Sequence, residues 1–312
     1  MRGPRRDLVA RLPRPASLPW TFPFTGAFVS DRLAVLPQYL FPQKALTAFA
    51  GWVATRQWGR YTTRLIAWFV GRYGVNMAEA AEPNIAAYPS FNAFFTRALR
   101  ADARPLAAAD FVCPVDGAIS QLGAIDKDRI FQAKGHDYTC TALLGGDSAA
   151  AAQFQDGSFA TVYLSPRDYH RIHMPCDGTL QSMVYVPGDL FSVNPTTAHG
   201  VPGLFARNER VVCHFSTPHG PMTLVLVGAT IVGSMATIWH GLVNPPRRPQ
   251  VTVWGYGSEK IPAPFLRRGA EMGRFLLGST VVLLWPQDTI RLNPHWKAAS
   301  PVCMGQEMGQ KM

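Results

Sequence analysis

Three clusters of polar residues, set in an otherwise apolar sequence, carry the residue types that catalysis needs. In SPRDYHRIHMPCDG, residues 165–178, His170 and His173 stand three apart and Cys176 follows three further on. Imidazole titrates near neutrality, so the pair suits general acid–base work. His, His and Cys are also zinc-ligand types, but no second Cys or His group follows at ligand spacing, and no metal is expected. Pro166 and Pro175 confine any helix there to about two turns. A hydrogen-bonded pair of histidines in a turn is the plain structural alternative. In RFLLGSTVVLLW, Gly278-Ser279-Thr280 stands at the mouth of an apolar run. The glycine leaves its carbonyl sterically open to the neighbouring hydroxyl, and the flanks are not those of a GxSxG nucleophile elbow. Asp116, in CPVDG, opens an Asp-Gly pair that is common in ordinary turns. An Asp, a His and a Ser in this order supply the parts of a serine triad, in which a base held by an acid deprotonates an otherwise inert hydroxyl.

These groups must be held by a chain of 312 residues, 47% hydrophobic and only 16% charged, with a formal net charge of +10. That composition excludes a disordered tail protein and a coiled coil. A sparse but positive charge suits a partner that is both anionic and greasy, a lipid surface rather than nucleic acid. The five cysteines are widely spaced with no CxxC pair, which fits a reducing compartment and no disulfide framework. The Pro- and Arg-rich arm at residues 1–31 lacks an uninterrupted apolar stretch, so a cleaved secretory signal is not expected.

From Arg32 to Ala78 there is no Asp or Glu but there are six basic residues. Arg56, Arg60 and Arg64 recur every fourth residue, which on one helix makes a single stripe. Trp52, Trp58 and Trp68 lie around it, as in a helix lying in a membrane interface; a core helix with a solvated Arg face reads equally well. The uncharged run from Pro221 to Val243 is long enough to span a bilayer. Its β-branched residues, broken by Gly228 and Gly233, favour buried strands instead. ATVYLS at 160–165, MVYV at 183–186, VTVW at 251–254 and TVVLLW at 280–285 also read as strands. The expected fold is therefore α+β: N-terminal amphipathic helices over 32–100 that dock on a membrane, joined through residues 101–110 to a β-rich, mostly antiparallel core over 101–312.

Taken in order, a series of segments resembles the phosphatidylserine decarboxylase family in its bacterial, membrane-associated form. They are SFNAFFTRALR at 90–100, CPVDGAISQLG at 113–123, QAKGHDYT at 132–139 and YLSPRDYHRIHMPCDG at 163–178. YVPGDLFSVN at 185–194, LFARNERVVC at 204–213, LVGATIVGSM at 226–235 and GAEMGRFLLGSTV at 269–281 continue it. The resemblance implies a self-cleaving proenzyme. Asp116 would orient His173, and His173 would deprotonate Ser279, whose hydroxyl attacks the Gly278 carbonyl. The chain would part between Gly278 and Ser279 into a β chain (1–278) and an α chain (279–312). Ser279 would become a covalent pyruvoyl group, the cofactor, forming a Schiff base with phosphatidylserine so that carbon dioxide and then phosphatidylethanolamine leave. His170 would be the proton donor of that decarboxylation. The resemblance further implies a peripheral protein on the cytoplasmic side of the cell membrane and a homodimer. It also favours the interfacial reading of Trp52, Arg56, Arg60, Arg64 and Trp68. Phe91, Phe94 and Phe95 would either continue a greasy entrance or pack in the core.

Overall fold

The structure, a computed structural model, describes residues 31–312 other than 41, 134, 232–233 and 277–278. Of the sites expected from the sequence, Gly278 and nearly all of the N-terminal arm lie outside the described residues. Three helices open the fold: α1 (Asp31–Leu40), α2 (Gln43–Thr55) and α3 (Arg60–Tyr73). A short fourth helix, α4 (Phe91–Phe95), is capped by the Ser90 hydroxyl, which accepts from the Ala93 N–H at 3.2 Å. Thr62, Ile66 and Phe69 recur at helical spacing on the buried face of α3. Ile66 and Phe69 pack in one cluster with Phe91, Phe94 and Phe95, so these phenylalanines are core rather than entrance.

The single arginine stripe is not realised. Helix α2 stops at Thr55, Arg56 is extended (ψ 143°), and Gly59 enters α3 from the left-handed side (φ 53°). A glycine adopts that conformation without steric cost, so the spacing of four crosses a break between two helices. Arg60, Arg64 and Trp68 still share the exposed face of α3, while the Arg56 guanidinium lies 4.4 Å over the Trp52 ring.

Residues 101–110 contain neither helix nor strand, and the chain beyond them is mostly antiparallel sheet. The strands that position the site are β1 (Gly117–Ala124), β2 (Ser158–Leu164), β3 (Arg171–His173), β4 (Gly178–Val186), β5 (Arg210–Thr217) and β6 (Gly220–Val227). They continue as β7 (Met235–Thr237), β8 (Gly241–Asn244), β9 (Thr252–Gly255), β10 (Glu271–Phe275), β11 (Ser279–Trp285) and β12 (Pro301–Val302). A nine-stranded sheet runs β9-β4-β5-β6-β11-β2-β1-β12, with Phe265–Leu266 pairing on β4 outside that path. A four-stranded sheet runs β8-β7-β10-β3. Both faces of the large sheet are covered. Val281, Leu283 and Trp285 of β11 enter one core cluster, and Val282 and Leu284 enter the other. This two-residue alternation explains why the strand reads as one unbroken apolar run.

The run from Pro221 to Val243 folds as β6, β7 and β8, and among the described residues no helix is long and apolar enough to cross a membrane. β2 pairs with β11 in the large sheet and β3 pairs with β10 in the small one, so residues 165–170 cross between the two sheets, beside the place where β10 ends and β11 begins.

Candidate active site

The crossing brings the Ser279 strand and the histidine segment together. Ser279 is the first residue of β11 and pairs with Leu164, the last of β2. On the other side the Phe275 N–H donates to the His170 carbonyl at 3.0 Å. Ser279 is 1% exposed, and its Oγ has no hydrogen-bond partner among the described residues. The Tyr138, Thr161 and Thr280 hydroxyls are buried without a partner too, so what sets Ser279 apart is its place at the head of β11, directly after Gly278 in the sequence.

His170 is fully buried, with its ring 4.2 Å from that of Phe95. Its Nδ1 lies 2.8 Å from the Asp168 carbonyl. A carbonyl only accepts, so Nδ1 carries the proton and Nε2 holds a lone pair. That Nε2 has no partner among the described residues. Burial pushes the ring's pKa down to about 3, against the pull of the Asp168 carbonyl and with a smaller push from the Arg97 charge. His170 is thus a neutral imidazole at physiological pH.

His173 sits in β3, an odd number of residues away, in a different environment. Its Nδ1–H donates to the Gly269 carbonyl at 2.8 Å, and its Nε2 accepts the Tyr169 hydroxyl at 3.0 Å. Burial lowers its pKa too, opposed by the Gly269 carbonyl and Glu271. Both histidines therefore have the tautomer a general base needs, each fixed by a backbone carbonyl.

Asp116 is buried, but it makes no hydrogen bond to His173. Its carboxylate accepts from Arg104 Nε at 3.0 Å and from the Met304 N–H at 2.8 Å. Arg104 also donates to Glu79 at 2.7 Å, and its guanidinium is held charged chiefly by Asp116. The link between the two segments is backbone: the His173 N–H donates to the Pro114 carbonyl at 2.9 Å. The structure thus brings the His170 segment beside the chain that leads into Ser279, holds His173 further along in β3 opposite Glu271, and leaves Asp116 paired elsewhere. Arg104, Tyr169 and the Gly269 carbonyl are the partners that sequence reasoning missed. Tyr169 was visible, since it lies inside the histidine motif, whereas nothing in the sequence singles out Arg104.

Cys176 faces none of these groups in a ligand set, and among the described residues no three His, Cys, Asp or Glu side chains are grouped to hold a metal ion. A cleft of about 330 Å³ lies between α2 and the crossing, lined by Gly51, Trp52, Asn92, Leu242 and Leu276 among others. It opens beside the exposed side chains of Phe49 and Trp52.

A family profile described as "Phosphatidylserine decarboxylase" matches residues 91–310, and a second, described as "PSD", matches residues 33–74. The chain is 67% identical over 283 residues to the phosphatidylserine decarboxylase proenzyme of Acidovorax ebreus (strain TPSY), covering 91% of this chain and 99% of that protein. It is 66% identical over 282 residues to the proenzyme of the same name from Herminiimonas arsenicoxydans, covering 90% and 95%. With the one from Dechloromonas aromatica (strain RCB) the identity is 64% over 281 residues, covering 90% and 99%.

Proposed function

This chain belongs to the phosphatidylserine decarboxylase family, and we propose that it is a self-processing proenzyme that converts phosphatidylserine to phosphatidylethanolamine at a membrane surface. The observation that carries the reading is the buried, unpartnered Ser279 hydroxyl at the start of β11, beside the crossing that holds His170, with His173 three residues further on in β3. A hydroxyl enclosed in this way is suited to reaction with its own backbone, because no water competes for it and a neutral imidazole can take its proton. In this reading His173 accepts the Ser279 proton and Oγ attacks the Gly278 carbonyl, the amide C–N bond breaking as the ester forms. Elimination then frees the Gly278 carboxylate and leaves dehydroalanine, and water displaces its nitrogen as ammonia. Tyr169 must release Nε2 for that step.

The residues present fit the pyruvoyl group that would result, since its position is enclosed and His170 Nε2 has no competing partner. A pyruvoyl carbonyl supplies an electrophile and an electron sink for a primary amine, the task pyridoxal phosphate performs elsewhere. His170 Nε2, which holds a lone pair, would take up a proton shed by the substrate's ammonium group and return it to the α-carbon after carbon dioxide leaves. The test is release of labelled carbon dioxide from phosphatidylserine labelled in its serine carboxyl, by the wild type and by Ser279→Ala. Release by the wild type alone supports the reading, and equal release by both refutes it.

The lipid would approach from the helical layer. Phe49, Trp52, Trp58, Tyr61 and Trp68 are all exposed, interspersed with exposed Arg56, Arg60 and Arg64. Indoles sit at the headgroup level of a bilayer and arginines meet its phosphates. A surface arginine is worth about 1 kcal/mol on an anionic membrane. The triple change Arg56→Gln, Arg60→Gln, Arg64→Gln is therefore expected to weaken partitioning onto anionic vesicles by on the order of 100-fold. Neutral vesicles should bind both proteins alike. Sedimentation with vesicles of each kind measures this, and an unchanged anionic partition would remove the docking role from these arginines.

A further inference from the structure

Arg97 differs from every other buried arginine described here in how little holds it. It is 4% exposed, and its only hydrogen bond among the described residues runs from Nη2 to the Arg167 carbonyl at 3.3 Å. Its Nε–H is enclosed and unpartnered, and no carboxylate forms an ion pair with it. The Phe94 ring lies 5.4 Å from the guanidinium carbon, and Tyr88, Asp116, Glu79 and Asp168 act on the charge only through space. Arg210, equally buried, shows what a purely structural arginine looks like in this fold. All three of its nitrogens donate to carbonyls, of Leu143, Asn208 and Ala142. Arg104 and Arg171 are likewise bonded through more than one nitrogen.

A guanidinium has five N–H donors, and enclosing its Nε–H without a partner is costly unless a ligand completes it. Its position says which ligand. The segment carrying Arg97 is strapped across the histidine loop: the Phe95 ring packs at a tilt against His170, the Thr96 carbonyl accepts from Arg171 Nε at 2.9 Å, and Arg97 itself bonds the Arg167 carbonyl. Burial holds the His170 ring neutral, and the Arg97 charge adds a small push in the same direction.

Building on the decarboxylase reading, we propose that Arg97 binds the phosphodiester of the phospholipid substrate and so places its serine headgroup against His170 and residue 279. The substrate offers two anions, a carboxylate and a phosphodiester. A cation on the carboxylate would stabilise the ground state and lose its partner as carbon dioxide forms, which opposes the reaction. The phosphodiester keeps its charge throughout, so a contact there strengthens ground state and transition state alike. The planar fork of arginine matches two phosphate oxygens, which a lysine cannot do.

The test uses full-length, processed protein in phosphate-free buffer, with phosphatidylserine in mixed micelles. Arg97→Gln is expected to raise KM at least tenfold while kcat stays within about threefold, and Arg97→Lys to fall between. Calorimetry gives a readout apart from turnover. Wild type should bind glycerophosphoethanolamine at least tenfold more tightly than ethanolamine, and Arg97→Gln should bind the two alike. If Arg97→Gln does not fold, the lysine variant carries the test through its KM and its lost preference for the phosphodiester. An unchanged KM, or a tenfold fall in kcat at constant KM, would overturn the proposal. So would a variant whose only change is lost inhibition by added inorganic phosphate, since that marks a site for the free ion. A wild type that releases no carbon dioxide would instead refute the decarboxylase reading on which the proposal rests.

Discussion

Alanine at His173 is expected to leave the chain whole, whereas alanine at His170 should let it cut and then decarboxylate poorly. The structure separates the two rings: His173 is bonded at both nitrogens in β3, and His170 keeps an idle Nε2 against Phe95. Loss of a positioned base or acid costs about 10²–10⁴-fold in rate. His173→Ala should therefore slow chain cleavage by that factor, read as the fraction cut against time. His170→Ala should cleave near the normal rate and lose a similar factor in carbon dioxide release. The reverse pattern would exchange the two assignments.

Acid should act on both histidines in the same direction. Each has a folded pKa below that of a free imidazole, so the unfolded chain binds more protons as pH drops below about 6.5. Their contribution to stability is complete above that pH and is lost as pH falls toward the folded values. Cleavage should accordingly hold level from pH 8 to about 6.5 and decline only as His173 itself protonates.

The second large effect is expected at Arg104. This guanidinium joins Asp116 to Glu79, and the Arg104 and Asp116 side chains are 13% and 8% exposed. Removing one partner of a buried ion pair strands the other, at a cost of about 3–5 kcal/mol. Arg104→Gln should lower the urea midpoint by an amount equivalent to that loss, with an unchanged slope. Asp116→Asn, Arg104→Gln together should cost less than the two single changes summed, because the pair is then removed as a unit. Additive losses would mean that the pair is not the coupled unit seen here.

How much of this was legible follows from which groups do the binding. The strands were readable because β11 and β2 alternate into two cores and are built mostly of apolar and β-branched residues. The helix break at 56–59 was not, because three arginines spaced four residues apart look continuous until Gly59 takes a positive φ. Ser279 and the two histidines were found by residue type. Their orientation was hidden, since Nδ1 of each is held by a backbone carbonyl, which every residue possesses. The partner of Asp116 was hidden for another reason: Arg104 reaches it from a segment with no regular structure. In this conformation Asp116 is satisfied by Arg104 and Met304, so an orienting role toward His173 requires the carboxylate to exchange partners.

Cleavage should not release the smaller piece. Residues 279–312 supply β11 to the middle of the large sheet, between β2 and β6, and β12 to its edge. Each buried apolar side chain of β11 contributes about 1.5–3 kcal/mol. The two chains should therefore purify together and part only in denaturant.

The measurement that goes most directly to the central claim is the intact mass of the purified protein in denaturant, with Ser279→Ala beside it. The wild type should give two species, residues 1–278 and residues 279–312, the second beginning with a pyruvoyl group and lacking a free amine. Ser279→Ala should give one uncut chain. A wild type that remains a single chain with Ser279 intact, yet releases carbon dioxide from phosphatidylserine, would contradict the self-processing mechanism.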